Sequence, residues 1–303
     1  MSLARDSLKL IKIFGFGHFV MRLKFALIAR LDSFSRAYQH KQIIKRHDLK
    51  GPTEVLCIGQ KFLIDINDPG LHRDLLLDRL REPVATSTML HITKNSDVFL
   101  DVGANIGYYS LLLSTRCKSV ISIEPCEQNM QRLIHNISLN QRTNIFTHYC
   151  AITDRTMPVR LIKSDRSNWH IVIEAQEKDD KTVPGMTLDD FCQKEKVQPD
   201  ILRFDLEGQE HGVITNAKKT LSKLHTLFFE IHTTRLTNIE LAEIAHTLES
   251  SGLIPYQAIR HDRPGKWQEF GADQWNKIVQ GDRGVYELFF IRKGCHLHGA
   301  VDE

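Results

Sequence analysis

From residue 97 onward, short apolar runs alternate along the chain with amphipathic ones. DVFLDV, SVISIE, IFTHYCA, ILRFDL and TLFFEI read as strands, and the stretches 107–116, 127–139, 209–221 and 237–251 between or after them have helical spacing. Strand and helix in alternation is the pattern of crossover units on a parallel sheet. An insertion between the third and fourth strands, MPVRLIKSDRSNWHIVIEAQE, has the texture of a hairpin, and TLDDFCQKE after it reads as a short helix capped by Thr187. LIPYQAI and GVYELFFIRK close the pattern with no clear helix between them, so they are expected to pair antiparallel. The expected fold is α/β: a doubly wound, mostly parallel sheet of seven strands.

Upstream the texture differs. TEVLCIGQKFLIDI alternates in β-like fashion, NDPG is a turn, and LHRDLLLDRLREP reads as a helix ended near Pro83. Residues 1–50 look helical. Three units are therefore expected: a helical extension over 1–50, a β-rich lead-in and helix over 51–96, and the main α/β domain over 97–295.

Composition narrows the class of molecule. Of the 303 residues 42% are hydrophobic and 25% charged, enough to bury a sizeable core. The six cysteines are scattered with no CxxC pair, which argues against a zinc site or a disulfide framework and suits a reducing cytosol. No apolar run approaches the roughly 18 residues that span a bilayer. IFGFGHFVM at 13–21 lacks a small-x-small cleavage site after it. The expected location is therefore cytoplasmic. Charge is uneven, however: residues 1–50 carry eleven Lys or Arg against three acids, which leaves −5 on the remainder of a chain whose net charge is +3. Lys9, Lys12, Arg22, Lys24 and Arg30 interleave with apolar residues at helical spacing. Such a segment is either a basic amphipathic surface for anionic lipid, giving peripheral membrane contact, or a solvated helix face.

The chemistry begins at DVGANIGYY, 101–109. Asp101 and Gly103 fall at the carboxyl end of the first strand of the alternating region, where open parallel sheets bind ligands. Gly103 and Gly107 bring backbone close to whatever binds and permit positive φ. Glu124 ends the next strand, 23 residues after Asp101, a spacing at which an acid can accept hydrogen bonds from ribose hydroxyls. Asn105 stands where a dinucleotide fingerprint requires glycine, and the G-K-[ST] end of a P-loop is missing. D-x-G-x-N-x-G instead resembles the motif by which class I methyltransferases bind S-adenosylmethionine (SAM).

FLDVGANIGYYSLLLS, ISIEP, LIHNISLN, TLDDF and ILRFDLEGQEHGVITNA, in this order over roughly 97–232, together resemble the FkbM-type methyltransferase family. That resemblance implies a Rossmann-like class I methyltransferase fold, SAM as cofactor, and O-methylation of a hydroxyl on a saccharide, glycolipid or related metabolite. It places SAM at Asp101, Gly103, Ala104, Asn105, Gly107, Tyr108 and Glu124, with its adenine near Cys150 and Ala151. DRLREP is similar to the family's segment upstream of the first motif, where Glu82 either reaches the methionine end of SAM or forms a helix-terminal salt bridge.

Methyl transfer is an in-line displacement, so alignment supplies much of the rate and a base assists a weak hydroxyl nucleophile. FDLEGQEH offers Asp205, Glu207, Glu210 and His211 beside the cofactor. Crowded acids raise one another's proton affinity. Asp205, Glu207 and His232 are the candidates to take the proton. The same acids can hold a divalent cation or cap a helix, and a metal is not the expected cofactor. Glu230 and His232 alternate onto one face of the fifth strand, and His211 is expected to be structural. Trp169, His170, Trp267 and Trp275 are candidates for an acceptor pocket or for core packing. RNA is the alternative substrate through the basic N-terminus, and a SAM-binding module without catalysis is a further alternative. DNA is not expected, because DLEG stands where amino-directed base methyltransferases carry N-P-P-Y.

Overall fold

The computed structural model describes residues 34–162, 164, 167, 170–176, 179, 181–206, 208–260 and 268–294. A helix over 34–46 leads into the antiparallel hairpin of β1 (Thr53–Cys57) and β2 (Gln60–Ile64). β3 (Val98–Val102), β4 (Ser119–Ile123), β5 (Ile145–His148), the two-residue β6 (Ala151–Ile152), β7 (Met157–Ile162), β8 (Ile171–Glu174) and β9 (Val183–Met186) follow. The chain continues with β10 (Ile201–Phe204), β11 (Thr226–His232), β12 (Leu253–Arg260), β13 (Gln268–Gly271) and β14 (Val285–Arg292).

The main sheet runs β13-β12-β14-β11-β10-β3-β4-β5. Its five strands from β5 to β11 are parallel, and β14 enters antiparallel between β11 and β12. The terminal pair is thus antiparallel as its sequence predicts, and β13 adds an eighth strand at the edge. The segment between β13 and β14 also folds a helix, Asp273–Val279, that buries Trp275 and Ile278. DQWNKIV is only two turns long, too short for its apolar period to stand out. The insertion forms the β7–β8 antiparallel pair, and β9 and β6 extend it to a four-stranded sheet of its own.

The helix expected across LHRDLLLDRLREP does end before Pro83, and a further helix, not expected from the sequence, begins there. Leu71–Asp78 stops at Arg79, and a new helix, Pro83–Ile92, starts with proline at its first position. Proline has no N–H to donate into a continuing helix, but it is preorganised to begin one. Arg79 (φ 58) and Glu82 (φ 45) turn the chain through left-handed conformations on either side of that break. The stretch expected as one helix over 209–221 divides into Glu210–Thr215 and Lys218–Leu221.

Both faces of the sheet are covered. Leu100, Val102, Leu202, Phe204, Leu227 and Phe229 pack toward the helices Leu188–Lys194, Glu210–Thr215 and Asn238–Ser250. Phe99, Val120, Ile201, Phe228 and Phe289 face the β1–β2 hairpin and the helices Leu71–Asp78, Pro83–Ile92 and Tyr108–Ser114. Side chains alternate across a strand. On this second face, two residues nearer the edge at which the parallel strands end, stand Asp101, Ser122, Arg203, Glu230 and Glu287. Apolar positions thus give way to a buried polar row along the ligand-binding edge.

Candidate functional site

The turn after β3 brings its neighbours into position. Gly103 and Ala104 both donate to the Ile123 carbonyl, at 2.9 and 3.0 Å, which ties the turn to the end of β4. Gly103 (φ 75), Asn105 (φ 53) and Gly107 (φ 90) are all left-handed. The need for glycine comes from the protein's own packing. A Cβ at 103 would sit 2.6 Å from the Asp205 carbonyl oxygen, and one at 107 would sit 2.4 Å from Leu133 Cδ1. The Asn105 side chain compensates for its strained backbone: Oδ1 accepts from the Ile106 amide at 2.8 Å, and Nδ2 donates to the Ser167 carbonyl at 2.9 Å.

Glu124 is buried directly beyond β4. Oε2 accepts from the Asn105 amide at 2.8 Å and Oε1 from the Cys126 amide at 2.7 Å. Burial still pushes the carboxyl up to about 7, against the pull of those donors. Asp101 is also buried; Ser110 Oγ donates to it at 2.6 Å and the Arg203 guanidinium lies at 3.4 Å. Burial raises its proton affinity, with Arg203 opposing.

A cleft with about 820 Å³ of empty space, counting its open side, lies over this edge of the sheet. Gly103, Ala104, Asn105, Tyr108, Glu124, Ala151 and Asp205, all singled out in the sequence, line it. Asp101 lies beneath it and Gly107 packs on the Leu133 side chain. Cys150 is buried in the core. Glu82 sits behind the wall, where Tyr109 OH donates to it at 2.7 Å and Arg81 Nε lies at 2.5 Å. His232 Nε2 is 2.7 Å from Glu230 Oε1. Glu207 lies outside the described residues, as do Trp169 and Trp267. Trp275, a candidate for an acceptor pocket, is a core residue set edge-on to Phe290. His211 bonds Glu243 on the helix Asn238–Ser250 at 2.6 Å.

The wall also contains groups that the sequence motifs do not single out. Arg203 Nη1 donates to the Gly103 carbonyl at 3.1 Å, Nη2 bridges to Asp205 Oδ2 at 3.2 Å, and the guanidinium stacks 5.1 Å from the Tyr109 ring centre. One arginine therefore ties the cofactor turn to the end of β10. The signal for it was its place: a cation inside the otherwise apolar run ILRF is stable only if buried acids await it. Arg81 and Ser167 also line the cleft, and so does His170, which the sequence offers as a candidate for an acceptor pocket. Asp205 keeps Oδ1 without a hydrogen-bond partner. Burial and the nearby Glu230 push this carboxyl up to about 6, while Arg203 and Arg81 oppose the shift. Among the described residues no group of three or more His, Cys, Asp or Glu is placed to hold a metal ion.

Comparison with known proteins gives the geometry a context. The methyltransferase FkbM domain family matches residues 101–253. The 23S rRNA (uracil(1939)-C(5))-methyltransferase RlmD of Legionella pneumophila (strain Paris) is 34% identical over 80 residues, 26% of this chain and 18% of that protein. The hexuronic acid methyltransferase AglP of Haloferax volcanii is 26% identical over 147 residues, 48% of this chain and 59% of that protein. These curated relatives are therefore matched over less than two thirds of their own lengths. Among solved structures, a methyltransferase FkbM from Methylobacillus flagellatus KT superposes with a TM-score of 0.40 at 18% identity, covering 64% of this chain and 44% of that one. The donor set of the cleft fits SAM: a carboxylate at the end of β4 for hydroxyls, the apolar Ala151 and Ile152 for a flat base, and the unpartnered Ser167 Oγ and Asp205 Oδ1.

Proposed function

This chain belongs to the FkbM methyltransferase family, and from that premise we propose that it transfers a methyl group from SAM to a hydroxyl of a saccharide or glycolipid. The observation that carries the reading is Asp205: a carboxylate at the end of β10, in the cleft wall, with one oxygen held by Arg203 and the other unpartnered. The likeness to AglP, a hexuronic acid methyltransferase, supports a sugar as the acceptor class.

Bound SAM supplies an electrophilic methyl group on a sulfonium. The protein's part is to align and to accept a proton. Glu124, fixed by two backbone amides, offers its remaining lone pairs to ribose hydroxyls. The turn 103–105 sets the wall against which the nucleoside lies. Asp205 Oδ1 takes the acceptor's hydroxyl proton as the oxygen attacks. An affinity for protons raised to about 6 makes Asp205 a stronger base than a solvated aspartate while leaving it ionised at neutral pH. In this reading His232, which pairs with Glu230, passes that proton outward.

The test is methyl transfer from SAM to a panel of neutral sugars, uronic acids and lipid-linked glycans, with ribosomal RNA as the competing substrate. Transfer to a saccharide hydroxyl is expected, and Asp205→Asn should lower kcat by about 10²–10⁴ while SAM affinity is retained. Transfer to RNA alone would replace the reading with the one to which the RlmD likeness points. An Asp205→Asn enzyme of unchanged kcat would remove Asp205 as the base.

A further inference from the structure

Arg81 lines the cleft with cationic hydrogen-bonding capacity that no described residue takes up. Its backbone is locked from both sides by one side chain: the Arg81 amide donates to Tyr108 OH at 3.1 Å, and Tyr108 OH donates to the Arg81 carbonyl at 3.1 Å. Thr86 Oγ1 donates to the same carbonyl at 2.7 Å. Tyr108 begins the helix that follows the glycine turn, so Arg81 is indexed directly to the cofactor motif. The next residue, Glu82, has φ 45, a left-handed conformation unusual for a residue other than glycine, and more so ahead of proline. That strained residue clamps Arg81 Nε at 2.5 Å and is itself held by Tyr109 OH. Strain of this kind persists only where the surroundings fix it.

The clamp occupies Nε and leaves the two Nη groups. Neither makes a hydrogen bond or ion pair with another described residue, although the side chain is only 14% exposed. The other nitrogen donors named in the wall are committed, and of the wall's hydroxyls Ser167 Oγ stays unpartnered. Arg203 Nη1 and Nη2 serve Gly103 and Asp205, Asn105 Nδ2 serves Ser167, and Gln209 Nε2 donates to the Val172 carbonyl at 3.1 Å. Partly buried guanidinium N–H groups that hydrogen-bond to no described acceptor are suited to a planar anion, which they bind in a fork.

We propose that the Arg81 Nη pair binds a carboxylate of a molecule held in the cleft. The inference rests on the cleft's being the SAM site, and two ligands there can bring the group: the methionine end of SAM, or a uronic acid acceptor. Glu82 is then the residue that orients the guanidinium, not one that meets the ligand.

Titration calorimetry with S-adenosylhomocysteine and with 5′-methylthioadenosine, which shares the nucleoside but has no carboxylate, separates the cases. If the cofactor supplies the group, Arg81→Gln weakens S-adenosylhomocysteine by roughly 10- to 100-fold and leaves methylthioadenosine unchanged. If the acceptor supplies it, both affinities stay, and KM rises for uronic acids but not for the corresponding neutral sugars. The proposal is overturned if the variant changes none of these, or weakens both nucleosides equally. Arg81→Lys, which keeps the charge beside Glu82 but not the fork, is read by the same comparison should the glutamine variant fail to fold. A wild-type protein that binds neither nucleoside sinks the cofactor reading and this inference together. One that binds both, with a variant that matches it in both affinities and in KM for uronic acids, sinks the inference alone.

Discussion

At the scale of single residues, Glu124 shows which of two opposed effects wins. A carboxylate that accepts two backbone amides is ordinarily a strong acid, yet burial leaves this one titrating near 7. Its folded value lies above its unfolded one, so the native state binds the proton more tightly, and this group's contribution to stability falls as pH rises from about 4.5 to about 7. A ligand whose hydroxyls donate to Glu124 reverses that preference, because it favours the ionised form. SAM affinity is therefore expected to rise with pH by up to about tenfold per unit below 7 and to level off above it. Calorimetry across that range checks the slope, and Glu124→Gln should abolish it. A slope that survives the substitution would assign the titration to another group.

Elements were easier to read in the sequence than the chemistry between them. The strands β3, β4, β10 and β11 stood out because buried parallel strands are continuous apolar runs, and the antiparallel closure by β12 and β14 followed from the absence of a long helix. What escaped notice was β13, the two-turn helix Asp273–Val279, and the helix Pro83–Ile92 that starts where the preceding one was expected to end. The motif residues of the turn lie together in the structure, but Arg81 and Arg203, although inside DRLREP and ILRFDLEG, are not singled out by the sequence as site residues. Arg203 finds Asp101 far away in the chain, and Arg81, although its ion-pair partner Glu82 is adjacent, is held in the cleft wall by the distant Tyr108, so neither arginine's place is readable from its neighbours in sequence. Caps, by contrast, are local and legible. Thr187 accepts from the Asp190 amide, and Thr237 forms a reciprocal capping box with Glu240. Thr237→Ala should cost about 1 kcal/mol, seen as a lower urea midpoint with an unchanged slope. Because the helix Asn238–Ser250 packs on Glu210–Thr215, a larger loss would mean that the cap also holds the helix that follows the β10 end.

The whole molecule is electrically lopsided, and the structure shows how one end is mounted. The helix over 34–46 is fixed to the body by Arg36, which reaches Asp74 at 2.9 Å and Asp78 at 2.7 Å, and by Ile43 and Ile44 packed on the core. Its outward face carries Phe34, 73% exposed, and Tyr38, 59% exposed, with Lys41 and Lys45 one and two turns on. The basic, apolar-interleaved sequence of residues 1–33 lies outside the described residues, and no described helix is long and apolar enough to cross a membrane. Aromatic and lysine side chains on one exposed stripe suit the boundary between headgroups and acyl chains, and each Lys or Arg near an anionic surface is worth about 1 kcal/mol. The full chain is thus expected to sediment with vesicles containing anionic lipid and not with neutral ones. Salt should release it, since screening weakens the charge attraction. Replacing Phe34 and Tyr38 together with serine should weaken binding further at any salt concentration. A solvated face without a lipid role would instead leave the protein in the supernatant with both kinds of vesicle. Lipid binding that ignores both salt and the aromatic pair would place the contact elsewhere on the molecule.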